Sequence, residues 1–163
     1  MIEPKTILIS GATGLVGQPL CEALQARGHT VRQLSRGANG DFQWDVSAGQ
    51  LDPASMQDVD VVIHLAGESV AQRWTAAAKA RILRSRVDGT KLLVDAILQQ
   101  AKRPAFIAAS GISYYGIIRP DSLEESAASG DGFLAEVTRQ WEGAAQPLSD
   151  AGVRVAFLRT GIV

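Results

Sequence analysis

The sequence predicts an α/β protein whose central sheet is parallel, doubly wound and built from about six strands, with helices on both faces. Strand and helix patterns alternate through all 163 residues without a repeat, a linker or a low-complexity tract, so they indicate one domain. The apolar run at residues 7–9 leads into Gly11, Gly14 and Gly17, and a helical pattern follows directly. This strand–turn–helix order begins a βαβ unit, the building block of parallel sheets.

The first half of the chain contains four predicted strands. The first strand covers residues 6–10, and the helix after it has apolar residues at helical spacing and ends at Gly28, which suits a helix C-cap. A second strand is predicted at 29–34. The third is short, at 42–45, and the fourth is a clear apolar run at 60–66.

The second half continues the alternation. A long helix is predicted over residues 75–100, and the sequence Asp-Gly-Thr at 88–90 either bends it or divides it into two pieces. The fifth strand covers 105–109, the next helix covers 132–149, and the sixth strand covers 153–158. Because the carboxyl ends of parallel strands meet at one edge of a sheet, we expect the functional residues at the strand exits.

The glycine-rich turn after the first strand predicts a dinucleotide site of the Rossmann type. Its glycines allow close approach of the backbone to a pyrophosphate, and the following helix offers free N–H groups and the positive end of its dipole. The whole βαβ frame fits in roughly 30 residues, as this motif requires; the alternative is a plain βαβ turn without a ligand. The residues predicted to bind the pyrophosphate are Gly11, Ala12, Thr13, Gly14, Leu15, Val16 and Gly17.

The end of the second strand favours NADP over NAD. NAD-specific sites usually carry an acidic residue there to accept from the ribose hydroxyls, whereas this chain has Ser35 and Arg36. A guanidinium binds a 2′-phosphate bidentately, and a hydroxyl can donate to it; the alternative is that Arg36 is a solvated surface arginine. Asp45, at the end of the third strand, either accepts from the adenine amino group or belongs to a turn.

Composition narrows the class of protein. The formal net charge is −1 and no apolar run approaches the ~20 residues of a membrane span, so neither a nucleic acid nor a membrane is predicted as a partner. Residues 1–5 contain no secretory h-region, and we expect a cytoplasmic protein. A lone Cys21 is expected in the core rather than as a reactive thiol, and the isolated His29 and His64 predict no metal site. No Gly-Lys-Ser/Thr follows the glycine turn, which argues against a nucleoside triphosphatase.

Further motifs identify a family resemblance. The chain is similar over essentially its whole length to the sugar-nucleotide-epimerase-like (NAD-dependent epimerase/dehydratase-like) proteins of the extended short-chain dehydrogenase/reductase superfamily. The segments that carry the resemblance, besides the glycine turn, are residues 64–70, 73–74, 85–93, 109–116, 133–136, 141–142 and 158–163.

This resemblance implies roles for particular residues. Leu65, Ala66 and Gly67 would line the adenosine side of the cofactor and approach the nicotinamide ribose. Ser110 matches the serine that hydrogen-bonds the reacting hydroxyl or carbonyl in active relatives, and Thr160 would lie beside the nicotinamide.

Three other side chains are candidates from their position alone. Tyr114 and Tyr115 follow Ser110 closely, so either one of them faces the nicotinamide or both are packing aromatics of the loop. Glu68 is either an acid or base near the cofactor or a solvated carboxylate of the loop.

The chain departs from the superfamily pattern at the proton-transfer residues. Active members use a Tyr-x-x-x-Lys pair, but here the corresponding region begins with Phe133, and Arg86 replaces a common asparagine of the preceding helix. We therefore weigh two functions. One is an NADP-dependent oxidoreductase or epimerase-like enzyme acting on a small molecule, with a sugar nucleotide as the candidate substrate. The other is a non-catalytic dinucleotide-binding sensor or regulatory protein.

The resemblance also sets an expectation for the domain. In extended members the first half binds the cofactor and a C-terminal part closes over the substrate, so residues 1–163 are expected to be the NAD(P)-binding Rossmann domain without that part. We expect weak or no turnover from such a chain, because water is not excluded from the reacting groups. Apolar surface left exposed would favour a homodimer.

Overall fold

A computed structural model describes residues 3–116 and 122–161. It contains seven strands: β1 (Thr6–Ser10), β2 (Thr30–Ser35), β3 (Phe42–Asp45), β4 (Gln50–Leu51), β5 (Val61–His64), β6 (Ala105–Gly111) and β7 (Val155–Thr160). The α-helices are α1 (Gly17–Ala26), α2 (Ala76–Leu98), α3 (Phe133–Gly143) and α4 (Gln146–Asp150), and two short 3-10 helices cover Pro53–Met56 and Ile112–Tyr115. Within these described residues, no helix is both long and apolar enough to cross a lipid bilayer.

The strands form one sheet in the order β4-β3-β2-β1-β5-β6-β7. All neighbours are parallel except β3 and β4, which are antiparallel. The chain builds outward from β1 to β2 and β3, then crosses to the other side of β1 to form β5, β6 and β7. This reversal confirms the doubly wound α/β fold and places a switch point at the ends of β1 and β5.

Alternation along β1 explains why helices cover both faces of the sheet. Leu8 is fully buried in one apolar cluster with Phe106 and with Leu93 of α2. Ile9, on the opposite face, packs in a second cluster with Cys21 of α1. The prediction that Cys21 belongs to the core is confirmed, and burial raises the pKa of its thiol.

One of the seven strands, β4, is missing from the sequence prediction. It has only two residues, and it joins the sheet because the chain turns back after β3 so that Leu51 lies opposite Trp44. Two residues are too few to show an alternating pattern, so the prediction of about six strands missed this one.

The helices differ from the predicted pattern at two places. The predicted division into two helices at residues 88–90 is wrong, since α2 is continuous. Gly89 is buried in it, where a Cβ would lie 3.4 Å from the Trp44 ring and 3.5 Å from the His64 ring. The single helix predicted over 132–149 is divided into α3 and α4. Pro147 lies in the first turn of α4, where it has no N–H to donate and its ring excludes a continuous helix.

Strand bounds also shift in ways that matter for the site. The strand predicted at 105–109 extends to Gly111, so Ser110 lies in β6 rather than in a loop. The final strand covers Val155–Thr160 instead of 153–158, and its Arg159 pairs with Ser110 of β6. Paired residues of parallel strands point to the same face, which brings these two side chains together.

Candidate functional site

A cleft of about 670 Å³ opens at the carboxyl ends of β1, β2 and β5, at the switch point of the sheet. Its walls come from the glycine turn after β1, the exit of β2 and the exit of β5, with Ser85 contributed by α2. The lining residues are Gly11, Ala12, Thr13, Gly14, Gln33, Leu34, Ser35, Arg36, Gly37, Trp44, Val46, Leu65, Ala66, Gly67, Glu68, Ser69 and Ser85.

The glycine turn is held by two close backbone approaches. Gly11 has φ +76°, and a Cβ there would lie 2.7 Å from the Ala66 nitrogen at the exit of β5. A Cβ on Gly17 would lie 2.8 Å from the Ala12 Cα and closer still to the Gly11 carbonyl oxygen. The first glycine therefore lets the turn touch β5, and the last lets α1 pack directly on the turn.

The N-terminus of α1 is not capped by a side chain. Val16 occupies the N-cap position without a side-chain hydrogen bond, and no acidic residue lies in the first turn. The positive end of this helix is thus uncompensated by side chains, as in helices whose N-terminus binds an anion. Of the seven predicted residues of the turn, Gly11–Gly14 line the cleft, while Leu15 and Val16 are exposed beside it and Gly17 is buried behind it.

The exit of β2 brings Ser35 and Arg36 to the cleft, as the sequence predicted. Asp45 does not line it. The Asp45 carboxylate accepts hydrogen bonds from the Ser47 hydroxyl at 2.5 Å and from the Ser47 and Ala48 amides at 2.8 and 3.1 Å, which lower its pKa. Asp45 is therefore occupied in a turn, and its neighbours Trp44 and Val46 line the cleft instead.

The exit of β5 is fastened to the helix behind it. The Glu68 amide donates to the Ser85 hydroxyl at 3.0 Å. The Glu68 carboxylate accepts from Gln72 Nε2 at 3.1 Å and from Arg81 Nε at 2.9 Å, and these two hydrogen bonds lower its pKa. The carboxylate that the sequence offered as an acid or base is thus an ion-paired group in the cleft wall.

A second group of side chains, which we call the Ser110–Arg159 cluster, comprises Ser110, Tyr114, Tyr115, Glu142 and Arg159. The Ser110 hydroxyl donates to Glu142 Oε1 at 2.6 Å, and Arg159 binds both oxygens of that carboxylate at 2.9 and 2.7 Å. Arg159 Nη1 donates to the Tyr115 hydroxyl at 2.7 Å, and its guanidinium carbon lies 3.6 Å from the centre of the Tyr114 ring. The bidentate pair raises the pKa of Arg159.

Sequence reasoning found three members of this cluster and missed Glu142 and Arg159. Both residues lie in segments that carry the family resemblance, but nothing in the sequence pairs two charges 17 positions apart. Arg159 and Tyr115 line a second cavity of about 590 Å³, together with Thr160. Thr160 Oγ1 donates to the Ser110 carbonyl at 3.3 Å and lies outside the lining of the first cleft.

His64 lies fully buried beneath the cleft, at the end of β5. A hydrogen bond of 2.6 Å joins its Nδ1 to Ser10 of β1, and the rings of Trp44 and Trp141 meet its ring edge to face. Burial, and then the charge of Arg86, lower the His64 pKa to about 4. In the described part of the chain, no three His, Cys, Asp or Glu side chains group as metal ligands would.

Phe133, which the sequence places where a Tyr-x-x-x-Lys pair is expected to begin, is the first residue of α3. Its ring meets that of Trp74 at 5.2 Å between centres, and Lys79 Nζ lies 5.1 Å from its centre. This position therefore serves aromatic packing and carries no exchangeable proton.

Comparisons with known proteins agree with this geometry. The model of the NAD dependent epimerase/dehydratase family matches residues 7–132. Epimerase family protein Mb2239 of Mycobacterium bovis is 37% identical over 161 residues, covering 96% of this chain and 53% of that protein. The human epimerase family protein SDR39U1 is 31% identical over 163 residues, covering 96% of this chain and 54% of that protein. The chain thus spans about half the length of the curated relatives it matches.

Two solved structures are similar along nearly the whole chain. A nucleoside-diphosphate sugar epimerase from Corynebacterium glutamicum is 42% identical with a TM-score of 0.86, covering 98% of this chain and 34% of that one. Human SDR39U1 (isoform 2), solved with NADPH, is 29% identical with a TM-score of 0.81, covering 94% of this chain and 52% of that one.

Proposed function

Since the chain belongs to the NAD dependent epimerase/dehydratase family, of the extended short-chain dehydrogenase/reductase type, we propose that its cleft binds NADP(H). The activity proposed for the whole protein is that of an oxidoreductase or epimerase-like enzyme acting on a small molecule, with a sugar nucleotide as the substrate class. The observation that carries the proposal is that one cleft contains both Arg36 and the Gly11–Gly14 turn, which leads into the uncapped N-terminus of α1.

The cleft suits both anionic parts of such a cofactor, the pyrophosphate and the 2′-phosphate. The backbone of Gly11–Gly14 and the first turn of α1 would hold the pyrophosphate through N–H groups, since glycines at these positions leave the backbone uncovered. Ser35 and Arg36 would hold the 2′-phosphate. No acidic residue lies among residues 33–37 to repel that group, and the human relative SDR39U1 was solved with NADPH.

When bound, the nicotinamide supplies the hydride donor or acceptor. The Ser110–Arg159 cluster would contact the reacting part of the substrate. The Ser110 hydroxyl donates its hydrogen bond to Glu142, so towards a substrate hydroxyl its oxygen would act as an acceptor. Arg159 would act indirectly, by fixing the Tyr115 oxygen at the neighbouring cavity while its guanidinium packs on the Tyr114 ring.

Calorimetric titration with NADPH and NADH tests the proposal. We expect NADPH to bind more tightly, and Arg36→Ala to remove most of the preference, because the guanidinium meets only the 2′-phosphate. Arg27→Ala is the matched control: it removes an equal charge from the C-cap of α1, outside the cleft, and should leave the preference unchanged. Absence of binding, or a preference that Arg36→Ala does not alter, would contradict the proposal.

A non-catalytic dinucleotide sensor is the second candidate, favoured by Phe133 at the position of the missing tyrosine. It predicts tight NADPH binding without hydride transfer. The full-length protein, incubated with NADP⁺ and a panel of sugar nucleotides, distinguishes the two. Nicotinamide absorbance reports net oxidation, and NMR of the sugar reports epimerisation, in which the hydride returns to the substrate and the absorbance shows no net change. Turnover that Ser110→Ala abolishes would favour the enzyme, whereas binding without turnover would favour the sensor.

A further inference from the structure

Arg86 of α2 lies directly behind the cleft wall, at a position where the sequence suggested only the replacement of an asparagine. A Cβ built on Gly67, which lines the cleft, would lie 3.1–3.3 Å from the carbon and two nitrogens of the Arg86 guanidinium. Gly67 has no positive φ that would demand glycine, so the close approach of Arg86 is the feature that its missing side chain permits.

The guanidinium joins the wall of the cleft to two helices. Its Nη1 donates to the Glu68 carbonyl at 2.9 Å and to the Ile82 carbonyl of α2 at 3.1 Å. Its carbon lies 5.1 Å from the centre of the Trp141 ring of α3. With the hydrogen bond from the Glu68 amide to Ser85, these contacts fix both polar backbone groups of Glu68.

The Arg86 guanidinium forms no salt bridge with the described residues. Among residues 3–116 and 122–161, no acidic side chain lies within ion-pair distance of it, and the carboxylate of Glu68 pairs with Arg81 instead. The half-buried guanidinium is instead compensated by backbone carbonyls and an aromatic face, and its positive charge lies directly behind Gly67 of the cleft wall.

We propose that Arg86 is a positioning residue of the dinucleotide site. It holds the Gly67–Glu68 backbone in place through the Glu68 carbonyl, and its guanidinium adds a second positive charge, besides that of Arg36, behind the Gly67 wall of the cleft. This inference rests on the proposed binding of NADP(H) in the same cleft. It assigns to Arg86 an effect on affinity and to Arg36 an effect on the choice between NADPH and NADH.

The test compares variants of α2 by NADPH and NADH titration at several salt concentrations. Arg86→Met keeps an apolar stem against Trp141 and is expected to weaken both cofactors about tenfold, by the same factor, and to reduce the salt dependence. Arg86→Lys should recover part of the affinity and all of the salt dependence, because it keeps the charge. Arg84→Met is the matched control, since Arg84 is exposed on the same helix and bonds only the Ala80 carbonyl.

A second variant keeps the proposal testable if Arg86→Met does not fold. Gly67→Ala leaves Arg86 in the chain but forces its guanidinium to shift away from the new Cβ, which strains the hydrogen bond to the Glu68 carbonyl and should weaken NADPH binding several-fold. Adding Arg86→Lys to Gly67→Ala should not restore the affinity. Wild-type affinity in Arg86→Met or Gly67→Ala, or an equal loss in Arg84→Met, would overturn the role of Arg86. Failure of the wild-type chain to bind NADPH would instead overturn the proposed function on which it rests.

Discussion

The cleft and the Ser110–Arg159 cluster lie at the same edge of one sheet but are built in opposite ways. The cleft is shaped mainly by backbone: two glycines allow contacts that no side chain would permit, and the helix end supplies N–H groups. The cluster is shaped by side chains, with one carboxylate and one guanidinium joining β6, β7 and α3. A backbone site depends on a local motif, whereas a side-chain site depends on which distant residues the fold brings together.

The largest expected effect breaks the backbone site. Gly17→Ala places a Cβ against the backbone of the turn, which has no flexible atom to move aside, and it should lower the free energy of unfolding by roughly 3–5 kcal/mol. Urea denaturation measures this. The control is Gly37→Ala, since a Cβ there meets nothing within 4 Å and φ is not positive. Equal stability of the two variants would contradict the close approach of α1 to the turn.

The second prediction concerns His64, which lies between the two regions and contacts both Trp44 and Trp141. Its pKa in the folded state, about 4, is below the ordinary value of 6.5. Between these two values His64 is protonated in the unfolded chain but neutral in the folded chain. The free energy of unfolding therefore falls as the pH decreases from about 6.5 towards 4. Between about pH 7 and pH 5 this residue alone should remove about 2 kcal/mol from the free energy of unfolding.

Urea denaturation at several pH values, for the wild type and His64→Gln, isolates this contribution. The variant will be less stable at neutral pH, but its stability should depend less on pH across this range. His29→Gln is the control because His29 is not enclosed by the core. A pH slope that persists unchanged in His64→Gln would show that other groups cause it.

The third prediction breaks the side-chain site. Glu142→Ala leaves the guanidinium of Arg159 without its carboxylate, although both side chains are more than four-fifths buried, and should cost about 2 kcal/mol of unfolding free energy. The double variant Glu142→Leu/Arg159→Met should recover much of that loss, since it removes the unpaired charge. Breaking the exposed Lys102–Asp60 pair with Lys102→Ala should cost less than about 1 kcal/mol. If the double variant loses as much stability as Glu142→Leu and Arg159→Met lose together as single variants, the pair is not coupled.

The smallest expected effect concerns Asp45 and tests whether this residue belongs to the cleft. Asp45→Asn replaces a carboxylate that three donors of the turn already occupy, so we expect NADPH affinity to stay within about twofold of wild type and stability to fall by less than about 1 kcal/mol. Titration of the folded variant decides between the two roles that the sequence left open. A tenfold loss of affinity would favour the adenine contact.

These contrasts explain what the sequence could predict. The fold class, the glycine turn and the adjacent Ser35–Arg36 exit follow from short segments in which spacing and local structure are linked directly. The partnership of Ser110 with Glu142 and Arg159 depends on the register of β6 against β7 and on the end of α3. The predicted strand bounds were wrong there by two residues, and α3 ends at Gly143 instead of at 149. Gly89 shows the same limit, because its fit against Trp44 and His64 is a tertiary contact without a local pattern.

Because Cys21 is buried, the reactivity of its thiol reports local opening of the structure around α1. This single thiol lies on the buried face of α1, in the apolar cluster that includes Ala12 of the glycine turn, so a thiol reagent can reach it only when that helix separates from the sheet. The rate of labelling under native conditions then measures the free energy of that local opening without any engineered probe. A cofactor bound across the turn should slow this reaction in proportion to its saturation, so one unmodified cysteine can follow occupancy of the site.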